Sequence, residues 1–292
     1  MSNILEIRNL RKQYDKFSLK DISFSLERGY IMGFIGPNGA GKSTTIKLIM
    51  NLIKRDSGEI KVFGLDNIKN EKEIKEKIGF VYDENYFYEH LSILEMKRII
   101  APFYKHWDDG TFKKYIKDFN LPPSRKIKDL SKGMKMKFSL ALALSHRAEL
   151  IIMDEPTSGL DPVFRIEMLE ILQSLIQDER VSVFFSTHIT TDLEKIADYI
   201  TFINDGSIVF SRPKDDILES FALIKGGKEL LDKDTRKEFL AIKENSFGFE
   251  ALTDNTDRIK KIFKNEVIIE RPTLEDIMVY TVRGEIKCLD SY

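Results

Sequence analysis

The chain has 292 residues, 42% of them hydrophobic and 32% charged, with a formal net charge of −1. That length supports roughly two domains and a sizeable core, and the near-neutral balance removes any broad pull toward nucleic acid or anionic lipid. No apolar run approaches the ~18 residues of a membrane-spanning helix, so any membrane role is expected to pass through a partner.

The only cysteine, Cys288, cannot form an intramolecular disulfide, as expected in a reducing cytosol. The first residues show no secretory h-region. Residues 4–8 and 17–26 alternate apolar and polar side chains, predicting half-exposed antiparallel strands. Residues 12–16 between them form a polar loop with one aromatic, Tyr14. Residues 30–35 read as a buried strand, and 44–53 carry apolar side chains at helical spacing.

Between that strand and helix stands Gly36-Pro37-Asn38-Gly39-Ala40-Gly41-Lys42-Ser43-Thr44, which matches G-x-x-x-x-G-K-[ST]. Glycines let the backbone curl until successive N–H groups point inward as an anion nest, and the helix N-terminus adds partial positive charge. Lys42 would reach the β- and γ-phosphates, and the Ser43 hydroxyl would ligate Mg²⁺. Strand, glycine loop and helix in this order predict binding of a nucleoside triphosphate.

Asp56-Ser57-Gly58 is turn chemistry ahead of a strand at 59–63; residues 70–77 are helix-prone, and 78–81 read as another buried strand. From 86 to 145 the period becomes helical, with helices at 91–104, 111–119 and 132–145 separated by Trp107–Gly110 and Leu121–Ser124. The α/β pattern resumes with strands at 150–153 and 181–186 and a helix at 162–176, Pro162 suiting its first turn. Residues 199–210 predict a closing hairpin around Asn204-Asp205-Gly206-Ser207. Beyond about residue 212 a strand at 267–270 and a short helix at 274–279 predict a small α+β unit.

Asp154 and Glu155 follow the apolar run 150–153, and open α/β sheets place ligands at that end of their strands. Asp154 would hold Mg²⁺, through water, and Glu155 would polarise an attacking water as general base. The run Asp154-Glu155-Pro156-Thr157-Ser158-Gly159-Leu160-Asp161 combines with Leu130-Ser131-Lys132-Gly133-Met134, Ser186-Thr187-His188, Tyr14 and the glycine loop. Over residues 1–215 this set resembles the ATPase subunit of an ATP-binding cassette (ABC) transporter. Lys132 within the signature motif is similar to export ATPases that pair with separate membrane subunits of the ABC-2 kind.

The resemblance implies an α/β P-loop NTPase: a RecA-like core plus an antiparallel β subdomain at 1–215, an inserted helical block at about 86–145, and an accessory α+β domain at 216–292. It implies ATP and Mg²⁺ as ligands. Tyr14 would stack on adenine, and Gly36, Asn38, Gly39, Gly41, Lys42, Ser43 and Thr44 would cradle the phosphates. Ser131 and Gly133 would complete the site of an opposite protomer, Ser131 also capping its helix. Asp161 would communicate across the dimer, and His188 would bond the γ-phosphate and orient Glu155.

Two positions depart from the family pattern. Lys132 and Met134 replace the first and third of the usual Gly-Gly-Gln, and Lys132 would either add charge near the γ-phosphate or face solvent. Asp83 stands where the family carries a metal-sensing Gln, as a third Mg²⁺ ligand, with Glu84 the register alternative. A carboxylate accepts from metal-bound water but cannot donate as an amide does.

Tyr82, Tyr86, Phe87 and Tyr88 would be either a socket for a coupling helix of the membrane subunit or ordinary core. The resemblance further implies a homodimer or a heterodimer with a sister ATPase, an ABC-2-like transmembrane partner, and a place on the cytoplasmic face of the plasma membrane. The implied cargo is a peptide, an antibiotic or another amphipathic compound leaving the cell, with no nucleic acid and no insertion of this chain into the bilayer. The competing reading is an ABC ATPase without transport, regulatory or bound to ribosomes or DNA.

Overall fold

A computed structural model describes residues 2–82 and 87–283. The expectations placed on Asp83, Glu84, Tyr86 and Cys288 lie outside the described residues. The chain begins with β1 (Asn3–Gln13) and β2 (Ser18–Glu27), followed by β3 (Ile31–Ile35) and α1 (Lys42–Ile49). β4 (Ser57–Val62), β5 (Leu65–Asp66), α2 (Glu71–Glu76) and β6 (Ile78–Tyr82) come next. The helical block holds α3 (Ile93–Ile100), α4 (Asp109–Asp118) and α5 (Lys132–Ser145). Then β7 (Leu150–Asp154), α6 (Pro162–Leu175), β8 (Ser182–Thr187), α7 (Thr190–Ile196), β9 (Tyr199–Asn204) and β10 (Ser207–Pro213) complete the central frame. The last stretch runs through α8 (Lys214–Ser220), β11 (Ala222–Gly226), β12 (Ala241–Glu244), β13 (Phe249–Thr253), α9 (Thr256–Phe263), β14 (Ile268–Glu270) and α10 (Leu274–Arg283).

The described residues form three sheets: β2-β1-β4-β5, β10-β9-β3-β8-β7-β6 and β12-β13-β11-β14. In the six-stranded sheet β9, β3, β8, β7 and β6 run parallel, and β10 returns antiparallel to β9. β3, β7 and β8 are buried at every position, because layers cover both faces of the sheet. Their side chains alternate between two cores. Met32, Phe34, Leu150, Ile152 and Phe184 point toward the antiparallel sheet, whose Ile7 and Phe24 meet them. Ile31, Ile35, Met153, Val183 and Phe185 point toward α5, α6 and α7. The two-residue period of a strand thus serves two different apolar layers.

The register aligns Ile35 with Thr187 and Asp154 with Ser186, so β3, β7 and β8 end together along one edge. Capping fixes the helix entries. Ser92 and Glu95 form a capping box on α3, Ser131 caps α5, and Asp161 caps α6 ahead of Pro162.

Several elements differ in extent from their expected bounds; α3 occupies only Ile93–Ile100 of the expected 91–104, because the Ser92–Glu95 capping box sets its start and Pro102 follows its end. β1 runs on to Gln13, because Asp56 accepts from the Gln13 amide (2.6 Å) and from Lys12 Nζ (3.0 Å). α1 starts two residues earlier, at Lys42, and α10 continues to Arg283.

The C-terminal sheet is covered on both sides. Ala222, Ile224, Phe249 and Ala251 pack with Ile259 and Phe263 of α9 in a core of their own. Leu223 and Leu252 face the other way and join Leu274, Ile277 and Tyr280 in the main core beside Leu193 and Ile196 of α7. Glu194 Oε1 accepts from the Leu274 amide at 2.7 Å, pinning the start of α10 to α7. Among the described residues no helix is long and apolar enough to cross a membrane.

Candidate nucleotide site

β3 delivers the chain into residues 36–41, which bend back before α1. Gly36 lies under the Ile203 carbonyl, where a Cβ would stand 2.2 Å from the oxygen. Gly41, at φ +115°, opens α1 in a conformation that side chains resist. The first turn of α1 contains no acidic residue, so its amides and Lys42 give the loop one sign of charge. Lys42 is 6% exposed; its Nζ donates to the Gly36 carbonyl at 2.8 Å and lies 3.2 Å from Glu155 Oε1. Asn38 and Ser43 are exposed, while Thr44 is half-buried on the opening turn.

Glu155 leaves β7 with φ +49°, an uncommon backbone for a side-chain-bearing residue, and its amide donates to the Ser186 carbonyl at 2.9 Å. That turn brings the carboxylate between two partners. Lys42 lies at one oxygen, and His188 Nδ1 lies 2.7 Å from the other, Oε2. The His188 amide also donates to Oε2, at 3.3 Å. Lys42, Glu155 and His188 therefore form one line across the ends of β3, β7 and β8.

Asp154 is buried beside them. Burial pushes its carboxyl above the usual range, while the Ser43 and Ser186 hydroxyls pull it down, Glu155 pushes it up and Lys42 pulls it down. Among the described residues its Oδ1 has no hydrogen-bond partner, and the buried Thr157 hydroxyl also lacks one. A buried carboxylate with a spare oxygen close to Ser43 fits the demand of a hard divalent cation. Among the described residues no three His, Cys, Asp or Glu side chains cluster to hold a metal. Such a cation would thus draw its remaining oxygens from phosphate and water.

Ser131, Gly133 and Asp161 form a second group, joined through Phe164. The Ser131 hydroxyl accepts from the Met134 amide at 3.2 Å, and Asp161 Oδ1 accepts from the Phe164 amide at 3.0 Å. The Phe164 ring fills the space at Gly133, where a Cβ would come within 2.7 Å of it. Lys132 Nζ donates to the Ser158 carbonyl at 2.7 Å, so it turns toward the 157–161 loop. Tyr14 is half-open, 41% exposed, with Lys12 Nζ 5.4 Å from its ring centre.

The described aromatics at and just after the end of β6 have different surroundings. The Phe87 ring packs 5.0 Å from that of Phe138, Tyr82 lies against Phe80, and Tyr88 is exposed. Sequence reading gave no role to Ser186 or to the Thr157 hydroxyl; both stand in motifs whose acids and histidine drew attention first.

A family model described as ABC transporter matches residues 19–158. The bacitracin transport ATP-binding protein BcrA of Bacillus licheniformis is 34% identical over 220 residues, 74% of this chain and 72% of that protein. The linearmycin resistance ATP-binding protein LnrL of Bacillus subtilis is 36% identical over 220 residues, covering 73% of this chain and 70% of that protein. A solved ATP-binding subunit of an ABC transporter superposes with a TM-score of 0.66 at 28% identity, over 74% of this chain and 92% of that one. The phosphate loop, the paired acids on β7, the histidine after β8 and these relatives agree, and the chain belongs to the ABC transporter family as an ATP-binding subunit.

Proposed function

We propose that this subunit hydrolyses ATP with Mg²⁺ and drives a separate ABC-2-like transmembrane partner in exporting peptides, antibiotics or other amphipathic compounds. The observation that carries the chemistry is the Lys42–Glu155–His188 line at the phosphate loop. The names of the bacitracin and linearmycin relatives support the cargo class.

Amides of residues 36–44 and the Lys42 ammonium bind the β- and γ-phosphates. Ser43, Asp154 and Asp83 would hold the cation, which supplies charge neutralisation on the phosphate oxygens when bound. Glu155 accepts the proton of the attacking water, and His188 fixes the orientation of its carboxylate. Most of the rate enhancement lies in charges and dipoles already in place around the transferring group.

Tyr14 stacks on the adenine. Ser131, Gly133 and Asp161 face the ATP of the opposite protomer in a head-to-tail dimer, of two copies or of this chain with a sister ATPase. Loss of the γ-phosphate contact reopens the dimer, and the motion passes through the segment after β6 to the membrane subunit on the cytoplasmic face. Residues 216–292 act as an accessory domain of the cassette.

The test is Glu155→Gln in the full chain. Turnover should fall about 10²- to 10⁴-fold, while ATP with Mg²⁺ holds a dimer on size exclusion. Wild-type turnover in the variant would remove Glu155 from the base role. Capture from membranes in mild detergent should recover a multi-span partner; recovery of ribosomes or DNA alone would overturn the transport reading.

A further inference from the structure

α7 follows directly on His188, and its first turn is gripped by a residue outside the chemistry described above. Arg165 stands in the first turn of α6, four positions beyond Asp161. Its Nε donates to Asp192 Oδ1 at 2.6 Å, and its Nη2 donates to Thr191 Oγ1 at 2.9 Å. Asp192 is 1% exposed, and its Oδ2 has no partner among the described residues. An ion pair whose carboxylate is buried with an unsatisfied oxygen, and whose guanidinium is partly exposed, is a poor stabiliser, since well-packed apolar side chains do that work as well or better. Geometry is what such a pair supplies. The rigid guanidinium fork engages two successive residues at once in a fixed geometry that a flexible lysine ammonium does not impose.

What lies on either side of the clamp gives it a purpose. Toward the signature helix, Asp161 caps α6, and the neighbouring Phe164 ring packs against Gly133. Toward the phosphates, α7 leads back to His188, then to Glu155 and Lys42. The starts of α5, α6 and α7 are thus packed in series.

We infer that Arg165 is a positioning residue that locks the 157–161 loop to His188, so that engagement of one ATP across the dimer sets the histidine over the other. The inference rests on the dimeric ATPase proposed above. The link joins the two groups of site residues through the contacts of Asp161, Phe164, Arg165 and Asp192, so that both ATP sites bias a single packed unit.

The test is steady-state hydrolysis by the full chain across ATP·Mg²⁺ concentrations in Arg165→Ala, Arg165→Lys and Asp192→Asn. Binding of a fluorescent ATP analogue and thermal melting accompany each variant. Turnover should fall about 2- to 30-fold in Arg165→Ala, the span of coupling along packed networks. The Hill coefficient should drop toward one, analogue binding should stay at the wild-type level, and Arg165→Lys should recover part of the loss. A folded Arg165→Ala with wild-type turnover and Hill coefficient would overturn the inference, as would a wild-type enzyme without cooperativity or a proportional loss of binding. Should Arg165→Ala fail to melt cooperatively, Asp192→Asn, which keeps the side-chain shape, decides by the same readouts. A wild-type chain that neither hydrolyses ATP nor dimerises in Glu155→Gln form would instead remove the ATPase reading itself.

Discussion

Asp154 is held where a carboxylate is least comfortable, buried and next to Glu155, with one oxygen unpaired among the described residues. Its folded-state pKa is raised, so its favourable contribution to stability is complete below the unfolded value and is lost as pH rises through the folded one. Near neutrality the charged group is therefore a destabilising feature retained for binding. Asp154→Asn should melt at a higher temperature than the wild type at pH 7, measured without nucleotide, while Mg²⁺-dependent hydrolysis collapses. A lower melting temperature would contradict this account.

His146 behaves in the opposite sense. It is buried, stacked on Tyr104 at 3.8 Å, and burial lowers its pKa to about 4. A depressed folded pKa gives stability that is present above the unfolded value of about 6.5 and is lost as pH falls toward 4. The loss should be on the order of 3 kcal/mol across that window. His146→Phe should flatten this acid limb in denaturant titrations at pH 7 and pH 4.5.

At the scale of elements, the contact between α5 and α6 is as tight as its sequence permits. Gly133→Ala would drive a methyl group into the Phe164 ring, and overpacking of this kind costs about 1–3 kcal/mol. The variant should melt earlier and dimerise less with ATP; Phe164→Leu in the same chain should restore both. Restoration failing in a correctly folded double variant would show that glycine is needed there for another reason.

β3, β7 and β8 were legible in the sequence because strands buried on both faces read as short apolar runs. The glycine loop was legible because phosphate binding restricts both residue type and spacing. α7 was not, since its seven residues depend on α6 and α10 for stability and show no long apolar period. β12 and β13 were hidden for a related reason: they are short, and Lys243, Glu244 and Glu250 make them read as loop. The Arg165–Asp192 pair could not be read at all, because 27 positions separate its members and only the packing of two helices brings them together.

For the whole molecule, the C-terminal sheet is fastened to the central frame at α10, which packs on α7 through Leu274 and Ile277 in the main core. Burying an apolar side chain of this size contributes about 1.5–3 kcal/mol. A chain ending at residue 271 should therefore melt earlier than the full chain and bind more of a hydrophobic dye. Unchanged melting would mean that α10 adds nothing to the cassette.

The alternation of β11, with Leu223 turned into the main core and its neighbours Ala222 and Ile224 into the other, carries this further. The C-terminal sheet cannot be exchanged like a cartridge. A graft from another cassette would have to bring a matching α7 with it, and α7 is the helix that begins just beyond His188. A change of side chain in this shared strip of leucines and isoleucines is thereby felt by the helix that stands next to the nucleotide site.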